Sequence, residues 1–257
     1  MRHVIASFFI CLIAAAAHAM EPLTIEARPD LGSYSYEDKY WGEGFLNALN
    51  LQPAYLQKDY DFKLPAPPAN DSQETADEIA YIGELRAKRD HETVELIHFE
   101  ASRRTSTVEM LERSGIVPQK LWNLDALNAV LNAAYFDVSR YFIMNEKKRF
   151  SRPRPSHLVP ELELVVDNPG HPAYPSGHAT ESRMLAVLIG DIFPEHAEEI
   201  RAYADSIAYR REVAGVHYPS DSKAGQMLGD QIAALLLKHP EFSKKIEAAK
   251  DAVAKAR

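Results

Sequence analysis

Three separated segments of this chain concentrate side chains that can bind a tetrahedral oxyanion and transfer protons. Together they supply three cations, two histidines and one carboxylate: Lys147, Arg154, Arg211, His178, His217 and Asp221. Lysine and arginine provide fixed positive charge and directed hydrogen-bond donors, whereas two histidines can divide the roles of nucleophile and acid between them. We therefore expect phosphoryl transfer, in which these cations would balance the charge of the transition state without a metal ion.

The middle segment, Pro175-Ser176-Gly177-His178, directly precedes a helical pattern. Ser176 is a natural N-cap and Gly177 lets the backbone approach a ligand closely, so free N–H groups and the positive end of the helix dipole point at one spot. His178, in the first turn, would lie beside any anion bound there. Alone, the segment is typical of an ordinary capped helix; together with the other two it favours an anion site.

The third segment pairs a histidine with a carboxylate four residues later. His217 precedes Pro219, which suits the first turn of a helix that carries Asp221. At that spacing Asp221 can fix one imidazole tautomer of His217 and stabilise its imidazolium form, which leaves the other ring nitrogen with an exposed lone pair. A single His-x3-Asp is more often a surface pair, and Arg211, six residues before the histidine, favours the chemical interpretation.

The spacings of the three segments resemble the tripartite signature of the phosphatidic acid phosphatase type 2 (PAP2) superfamily. They are Lys147-x6-Arg154-Pro155, Pro175-Ser176-Gly177-His178 and Arg211-x5-His217-x3-Asp221. Within this superfamily the chain is similar to the soluble branch of bacterial class A non-specific acid phosphatases. The stretch Leu64-Pro65-Ala66-Pro67-Pro68 with Asp71-Ser72 also resembles the N-terminal region of that branch.

The resemblance implies an exported acid phosphatase that hydrolyses small phosphomonoesters in two steps. It assigns His217, oriented by Asp221, as the residue that becomes phosphorylated, and His178 as the group that protonates the leaving alkoxide. It places the other signature residues around the phosphate: Lys147, Arg154, Ser176, Gly177 and Arg211. Water would then cleave the phosphohistidine with His178 as base, and an acceptor alcohol in place of water would give phosphotransferase activity. The remaining histidines lack the paired spacing typical of zinc ligands, so neither a metal nor a cofactor is expected.

Arg210 departs from the family pattern, in which a serine usually precedes the arginine of the third motif. That serine is not one of the groups that does chemistry, so we expect Arg210→Ser to change little, and the role of Arg210 stays open. Arg149 and Arg152 are interpreted as solvated basic side chains beside Lys147. His171 is interpreted as a loop histidine, with a place in the wall of the cleft as the alternative.

Three alternative functions remain open. Vanadate mimics a phosphorane, so the same residues would serve a vanadium-dependent haloperoxidase, although those enzymes are usually much larger than 257 residues. A lipid or diphosphate phosphatase of the same superfamily is the second alternative. The third is a periplasmic anion-binding protein without turnover, which would have no need of a nucleophile.

The N-terminus has the pattern of a secretory signal peptide, predicted at residues 1–19. Arg2 and His3 precede an apolar run of about 14 residues, and Ala17-His18-Ala19 has the small-x-small form of a cleavage site. This run and the later apolar stretches are shorter than the roughly 20 residues of a membrane span, so we expect a periplasmic protein without stable membrane insertion. Cys11 lies inside the run, so the mature chain would depend on its core rather than on disulfides.

The rest of the chain predicts two regions. Residues 20–70 are rich in tyrosine and proline and predict an irregular arm, which wraps the core or else forms an oligomer contact or a wall of the cleft. Residues 71–257 predict one helical phosphatase domain. The formal net charge of −8 argues against nucleic acid as a partner. We expect small phosphorylated substrates and a homo-oligomer.

The fold class predicted for this domain is all-α, because no alternating strand pattern is found. One face of a central buried helix that ends near Lys147 carries Leu124, Leu127, Leu131, Ala134, Val138 and Tyr141. Further helices are expected at residues 75–89, 91–113, 178–192, 194–210, 221–238 and 240–254. The resemblance implies that they form a helical bundle of the acid phosphatase and vanadium-dependent haloperoxidase type.

Overall fold

The structure is a computed structural model that describes residues 23–101 and 106–257. The predicted signal peptide, residues 1–19, lies outside the described residues. Within the described ranges the chain forms helices and no β-strand, which confirms the all-α class. None of the helices in these ranges combines the length and the apolar character that crossing a membrane requires.

The described residues form twelve α-helices. They are α1 (Glu43–Ala48), α2 (Gln73–Leu85), α3 (His91–Ala101), α4 (Thr107–Glu112), α5 (Gln119–Trp122), α6 (Asp125–Ala134), α7 (Arg140–Phe150), α8 (Pro155–Leu158), α9 (Gly177–Ile192), α10 (Ala197–Val213), α11 (Pro219–Lys238) and α12 (Pro240–Ala256). The four helices predicted after residue 177 are found within three residues of their expected bounds.

The predicted central helix is interrupted. A π-helical turn, Tyr135–Ser139, joins α6 to α7. Leu131 and Val138, on either side of its start, are both fully buried, so the apolar face continues through the turn. π-helical turns are rare and often lie at functional sites. Lys147 is in the last turn of α7, as predicted.

The single helix predicted over residues 91–113 is wrong, because a separate helix, α4, starts after Ser106. The Ser106 side chain accepts a hydrogen bond from the Glu109 N–H at 3.2 Å, and the Glu109 carboxylate accepts one from the Ser106 N–H at 2.5 Å. This reciprocal capping box is visible in the sequence as Ser-x-x-Glu and marks a helix start.

The α9 helix lies at the centre of the bundle and packs against α10 and α11. Gly225 and Gly229 of α11 face it. A Cβ at Gly225 would lie 2.5 Å from the carbonyl oxygen of Ser176, and one at Gly229 would lie 2.5 Å from that of Thr180. These glycines therefore let the two helix backbones meet more closely than any other residue would allow. The contact brings the first turn of α11 next to the first turn of α9.

The N-terminal arm packs across the site described below. The Gly42 N–H donates to the carbonyl of Gly170 at 2.8 Å. Phe45, on α1, meets the ring of His171 edge-on, with ring centroids 4.5 Å apart. The arm thus wraps the core and forms part of a cleft wall.

Candidate active site

A cavity of about 1130 Å³ lies where the arm faces α7, α9 and α10. Its walls include residues of the second and third motifs, namely Gly177, His178, Arg211 and His217. The arm contributes Phe45 and the loop before α9 contributes His171. The space is slightly larger than the roughly 300–1,000 Å³ typical of cavities that hold whole small molecules. In the two described ranges, no three His, Cys, Asp or Glu side chains are grouped so that they could hold a metal ion.

Arg211 offers free hydrogen-bond donors at this cavity. Its side chain is 1% exposed, and its Nε and Nη1 have no hydrogen-bond partner among the described residues. Burial lowers the pKa of Arg211 to about 10, so the guanidinium stays charged at neutral pH. A buried charge without partners is unfavourable, and a bound oxyanion would supply both the partners and the counter-charge. Arg211 is therefore well placed to bind an anion.

His217 is held in the tautomer that a nucleophile requires. Its Nδ1 lies 3.0 Å from Oδ2 of Asp221, which also accepts from the Tyr218 N–H at 3.0 Å. Because the carboxylate accepts, Nδ1 carries the hydrogen and Nε2 keeps its lone pair. Burial, followed by the charges of Arg154 and Lys147, holds the pKa of His217 well below its ordinary value. The ring is therefore neutral at physiological pH.

Arg152 binds Oδ1 of Asp221, the carboxylate whose Oδ2 contacts His217. Its Nη1 donates to Oδ1 of Asp221 at 2.8 Å and to Oγ of Ser220 at 2.7 Å, and its Nη2 donates to Oε2 of Glu78 at 2.8 Å. The guanidinium also lies over the ring of Tyr218, 3.7 Å from its centroid. At 2% exposed, Arg152 is not the solvated side chain expected from the sequence. It orients Asp221, which in turn orients the histidine.

A pattern in the sequence could have pointed to Arg152. Residues 151–154 form no helix, and in an extended segment the side chains of residues i and i+2 point to the same side. Arg152 stands two residues before Arg154, so the two arginines enter the interior together.

Lys147 is fully buried, but protein groups accept all of its protons. Its Nζ donates to the carbonyls of Pro172 at 2.9 Å, Ala173 at 3.0 Å and Pro175 at 2.5 Å. Burial, followed by the charge of Arg154, lowers the pKa of Lys147. Three acceptors nevertheless match the three protons of the ammonium form. Lys147 fixes the loop that leads into α9, and direct contact with a phosphate would require an exchange of these hydrogen bonds.

Arg154 also binds the protein at several points. Its Nη1 donates to the carbonyl of Val216 at 2.6 Å and lies 3.1 Å from Nε2 of His217, whose lone pair can accept from it. Its Nη2 lies 3.0 Å from Nδ1 of His171. Since His171 is buried and lines the cavity, its placement in the cleft wall is favoured over a surface loop. Arg154 thus covers the ring nitrogen of His217 that has the lone pair.

His178 lies in the first turn of α9 and is anchored by a backbone carbonyl. Its Nε2 is 3.0 Å from the carbonyl oxygen of Glu100. Since a carbonyl only accepts, Nε2 carries the hydrogen and Nδ1 has the lone pair. Burial, followed by the charge of Arg211, lowers the pKa of His178 to about 3. A bound anion would raise that pKa again by favouring the imidazolium.

Ser176 and Gly177 form the start of α9. The Ser176 hydroxyl accepts from the Ala179 N–H at 3.4 Å, as an N-cap does. Its own N–H donates to the carbonyl of Asp221 at 2.9 Å, which joins the second and third motifs through the backbone. A Cβ at Gly177 would meet only Ile143 at 3.6 Å and the Lys147 side chain at 3.9 Å, both ordinary contacts. Packing alone therefore does not require glycine at position 177. Gly177 lies in the cavity wall, and the absence of a side chain there leaves space for a ligand.

Arg210 forms a buried ion pair that the sequence did not reveal. Its Nε donates to Oε1 of Glu100 at 2.7 Å, and its Nη2 lies 2.6 Å from the same oxygen. Glu100 is 2% exposed and Arg210 is 8% exposed. Removal of one partner would leave a buried charge, so the expectation that Arg210→Ser changes little does not hold.

Comparison with known proteins finds similarity over part of this chain. Residues 124–244 match the model of the PAP2 superfamily. The chain is 28% identical over 218 residues to a non-specific acid phosphatase of Salmonella typhi, covering 79% of this chain and 84% of the relative. Over 90 residues it is 33% identical to a decaprenylphosphoryl-5-phosphoribose phosphatase of Mycobacterium tuberculosis, covering 35% of this chain and 49% of the relative.

A solved structure shares the fold. The crystal structure of a bacterial vanadium-dependent iodoperoxidase superposes with a TM-score of 0.55 at 16% sequence identity, covering 86% of this chain and 62% of that protein. This likeness confirms the helical bundle expected from the sequence. The matched range 124–244 contains all three motifs, from Lys147 to Asp221. This chain carries a PAP2 superfamily domain at residues 124–244.

Proposed function

We propose that this protein is an acid phosphatase that hydrolyses phosphomonoesters through a phosphohistidine on His217. The observation that carries the proposal is the arrangement around one cavity of His217, His178 and the free donors of Arg211. The similarity to a non-specific acid phosphatase over most of both chains supports the reaction class. The substrates we propose are monoesters of small alcohols, because the cavity has room for more than a phosphate group.

The first step transfers the phosphoryl group to the enzyme. Two phosphate oxygens accept from Nε and Nη1 of Arg211, and a third lies near the N–H groups at the start of α9. Arg154 moves from Nε2 of His217 to the phosphate. When the anion binds, His178 takes up a proton on Nδ1 and becomes the imidazolium. Nε2 of His217 then attacks phosphorus, the bond from phosphorus to the ester oxygen breaks, and His178 gives the proton on Nδ1 to the departing alkoxide. Asp221 stabilises the positive charge that His217 acquires.

The second step restores the enzyme. A water molecule gives a proton to Nδ1 of His178, its oxygen bonds to phosphorus, and the bond from phosphorus to Nε2 of His217 breaks. Inorganic phosphate leaves. An alcohol that enters in place of water would accept the phosphoryl group, so we propose phosphotransferase activity as a side reaction.

The reaction can be tested on the purified protein with p-nitrophenyl phosphate and an alkyl phosphate at acid pH. We expect both substrates to release phosphate, and we expect vanadate to inhibit both because it mimics the phosphorane. Activity should survive EDTA, since the arginines supply the positive charge. Complete loss on chelation, restored by zinc or magnesium, would contradict the metal-independent mechanism.

A second candidate is haloperoxidase activity. The fold shared with an iodoperoxidase favours it. The unpaired donors of Arg211 also favour it, because they can bind any tetrahedral oxyanion. Vanadate bound there would bring the oxidation chemistry, and Arg211 would hold it as it holds phosphate. Oxidation of iodide or bromide by peroxide with added vanadate would reveal this activity. Phosphate release without halide oxidation would favour the phosphatase.

We further propose that the protein is exported to the periplasm and assembles as a homo-oligomer. The N-terminal pattern of residues 1–19 supports export. Cell fractionation with N-terminal sequencing tests the first statement, with cleavage expected after Ala19. Light scattering coupled to gel filtration tests the second.

A further inference from the structure

We propose that Arg210 is a positioning residue, which acts through Glu100 to hold His178 in the orientation of a proton donor. The proposal rests on the proposed function, because it takes His178 as the acid for the leaving group. It assigns a role to the residue that stands where the family usually has serine.

The contacts run in one line from Arg210 to the ring of His178. The guanidinium donates a hydrogen bond from Nε to Oε1 of Glu100 at 2.7 Å, and its Nη2 lies at ion-pair distance, 2.6 Å, from the same oxygen. Its Nη1 donates to Oγ of Ser206 at 2.9 Å, one turn earlier on α10, which fixes the rotamer. The backbone carbonyl of the same Glu100 then accepts from Nε2 of His178 at 3.0 Å. Three helices, α10, α3 and α9, are joined by these bonds.

The Glu100 carbonyl is the contact that favours a protonated His178. The charged groups that act on this ring are Arg211 of α10, Arg154 and Lys147, and all of them lower its pKa, as burial does. The carbonyl opposes them because it accepts a hydrogen bond from Nε2, and it leaves Nδ1 as the site from which a proton is given. A shift of this carbonyl would lower the pKa of His178 and so reduce the fraction of the ring that carries a proton to give.

Arg210 keeps that carbonyl in place by balancing the carboxylate of Glu100. Burial raises the pKa of Glu100 and the charge of Arg210 lowers it. Oε2 of Glu100 has no partner among the residues that the structure describes. A serine at position 210 is too short to reach Oε1, so the buried carboxylate would lose its counter-charge. We expect the Glu100 side chain then to move toward water and to shift its own backbone carbonyl.

The test compares two substrates with opposite demands for an acid. An alkyl phosphate needs a protonated leaving group, whereas p-nitrophenyl phosphate does not. In Arg210→Ser we expect kcat for the alkyl phosphate to fall about tenfold or more relative to kcat for the aryl phosphate, since general acid catalysis contributes roughly 100-fold or more. The basic limb of the pH–kcat profile for the alkyl phosphate should move to lower pH, because loss of the carbonyl contact lowers the pKa of His178. Arg210→Lys should restore part of both effects.

The matched control is Arg183→Ser. Arg183 also joins helices, and its hydrogen bonds within the described residues go to Asp230 at 2.8 Å and to Asp205 at 3.2 Å. This variant should leave the ratio of the two kcat values and the pH limb unchanged. If Arg210→Ser does not fold, Arg210→Lys and Glu100→Gln decide the question by the same two readouts. The proposal would be overturned if the folded variants at Arg210 and Glu100 kept the wild-type ratio of the two kcat values and the wild-type basic limb of the pH–kcat profile.

Nuclear magnetic resonance gives a readout that does not depend on turnover. With the imidazole nitrogens labelled and His178 assigned by its Asn variant, we expect one tautomer with hydrogen on Nε2, and a tautomer mixture in Arg210→Ser. A wild-type enzyme that releases no phosphate would contradict the proposed function, while this spectrum would still test the contact. The same tautomer in both proteins would contradict the positioning role.

Discussion

At the scale of the residue, two arginines of the signature have different partners. Arg154 donates to carbonyls and histidines of the protein, whereas two donors of Arg211 have no partner among the described residues. A guanidinium is a planar fork that can bind two oxygens of one phosphate, and an ammonium cannot reproduce that geometry. Arg154 therefore stabilises the structure of the site, whereas Arg211 has donors available for an anion.

This difference predicts the effect of Arg211→Lys. The substitution keeps the charge but loses the paired hydrogen bonds, so we expect a loss of about 3 kcal/mol of transition-state stabilisation in kcat/KM. Arg149→Lys, on the exposed surface of α7, is the control and should leave kcat/KM unchanged. Equal effects of the two substitutions would mean that the third motif has been assigned to the wrong residues.

Arg152 allows a second prediction at this scale. Arg152→Lys keeps a positive charge but cannot bridge Asp221, Ser220 and Glu78 at once. We expect the free energy of unfolding to fall by about 2 kcal/mol, as buried charge-assisted hydrogen bonds are lost. We also expect kcat to fall with little change in KM, because Asp221 would orient His217 less well. Denaturant unfolding and steady-state kinetics measure the two effects, and an unchanged kcat would show that Asp221 needs no support from Arg152.

At the scale of the element, the contact between α9 and α11 positions the two histidines relative to each other. Gly225→Ala would place a Cβ 2.5 Å from a backbone oxygen of α9 and 2.8 Å from the Cβ of Ala179, and neither neighbour is the end of a flexible chain. We expect the free energy of unfolding to fall by about 1–3 kcal/mol, as in overpacked cores, and kcat to fall because the helix starts move apart. Gly44→Ala, where a new Cβ meets nothing within 4 Å, is the control for stability. Equal stability of the two variants would contradict this account of the helix contact.

The same scale shows what the sequence could and could not predict. Helix start and stop signals predicted α9 to α12. The π-helical turn at Tyr135–Ser139 was not predictable from a period, since it changes the period locally. The candidate site was found through motif spacing, yet Arg152 and Arg210 were missed. Their partners, Glu78 and Glu100, lie more than seventy residues away in the chain, so only the fold brings the charges together.

At the scale of the whole molecule, the bundle keeps positive charge inside an acidic protein. The chain has a net charge of −8, while Lys147, Arg154 and Arg211 are almost fully buried. Burial, followed by the charges of these cations, lowers the pKa values of the neighbouring His178 and His217 and keeps both rings neutral. A bound phosphate would offset this positive charge and favour protonated histidine.

Phosphate binding should therefore be linked to proton uptake. The pKa of His178 in the free protein is about 3, so at a pH between that value and its ordinary value of about 6.5 the ring is neutral when the site is empty. If the anion raises this pKa, binding takes up as much as about one proton, and affinity increases as the pH falls. Calorimetry in buffers of different ionisation enthalpy measures the uptake. His178→Asn should show less uptake than the wild type, and equal uptake would place the proton on another group.

The central claim is that His217 forms the covalent intermediate and that His178 acts as acid and base. Rapid-quench labelling of His178→Ala with a radiolabelled aryl phosphate tests it most directly, because an activated leaving group needs little protonation whereas hydrolysis of the intermediate needs the base. We predict that label accumulates on His217 as an acid-labile, base-stable adduct, and that His217→Ala neither takes up label nor turns over any substrate. Label trapped on a serine or an aspartate, or turnover by His217→Ala, would contradict the account.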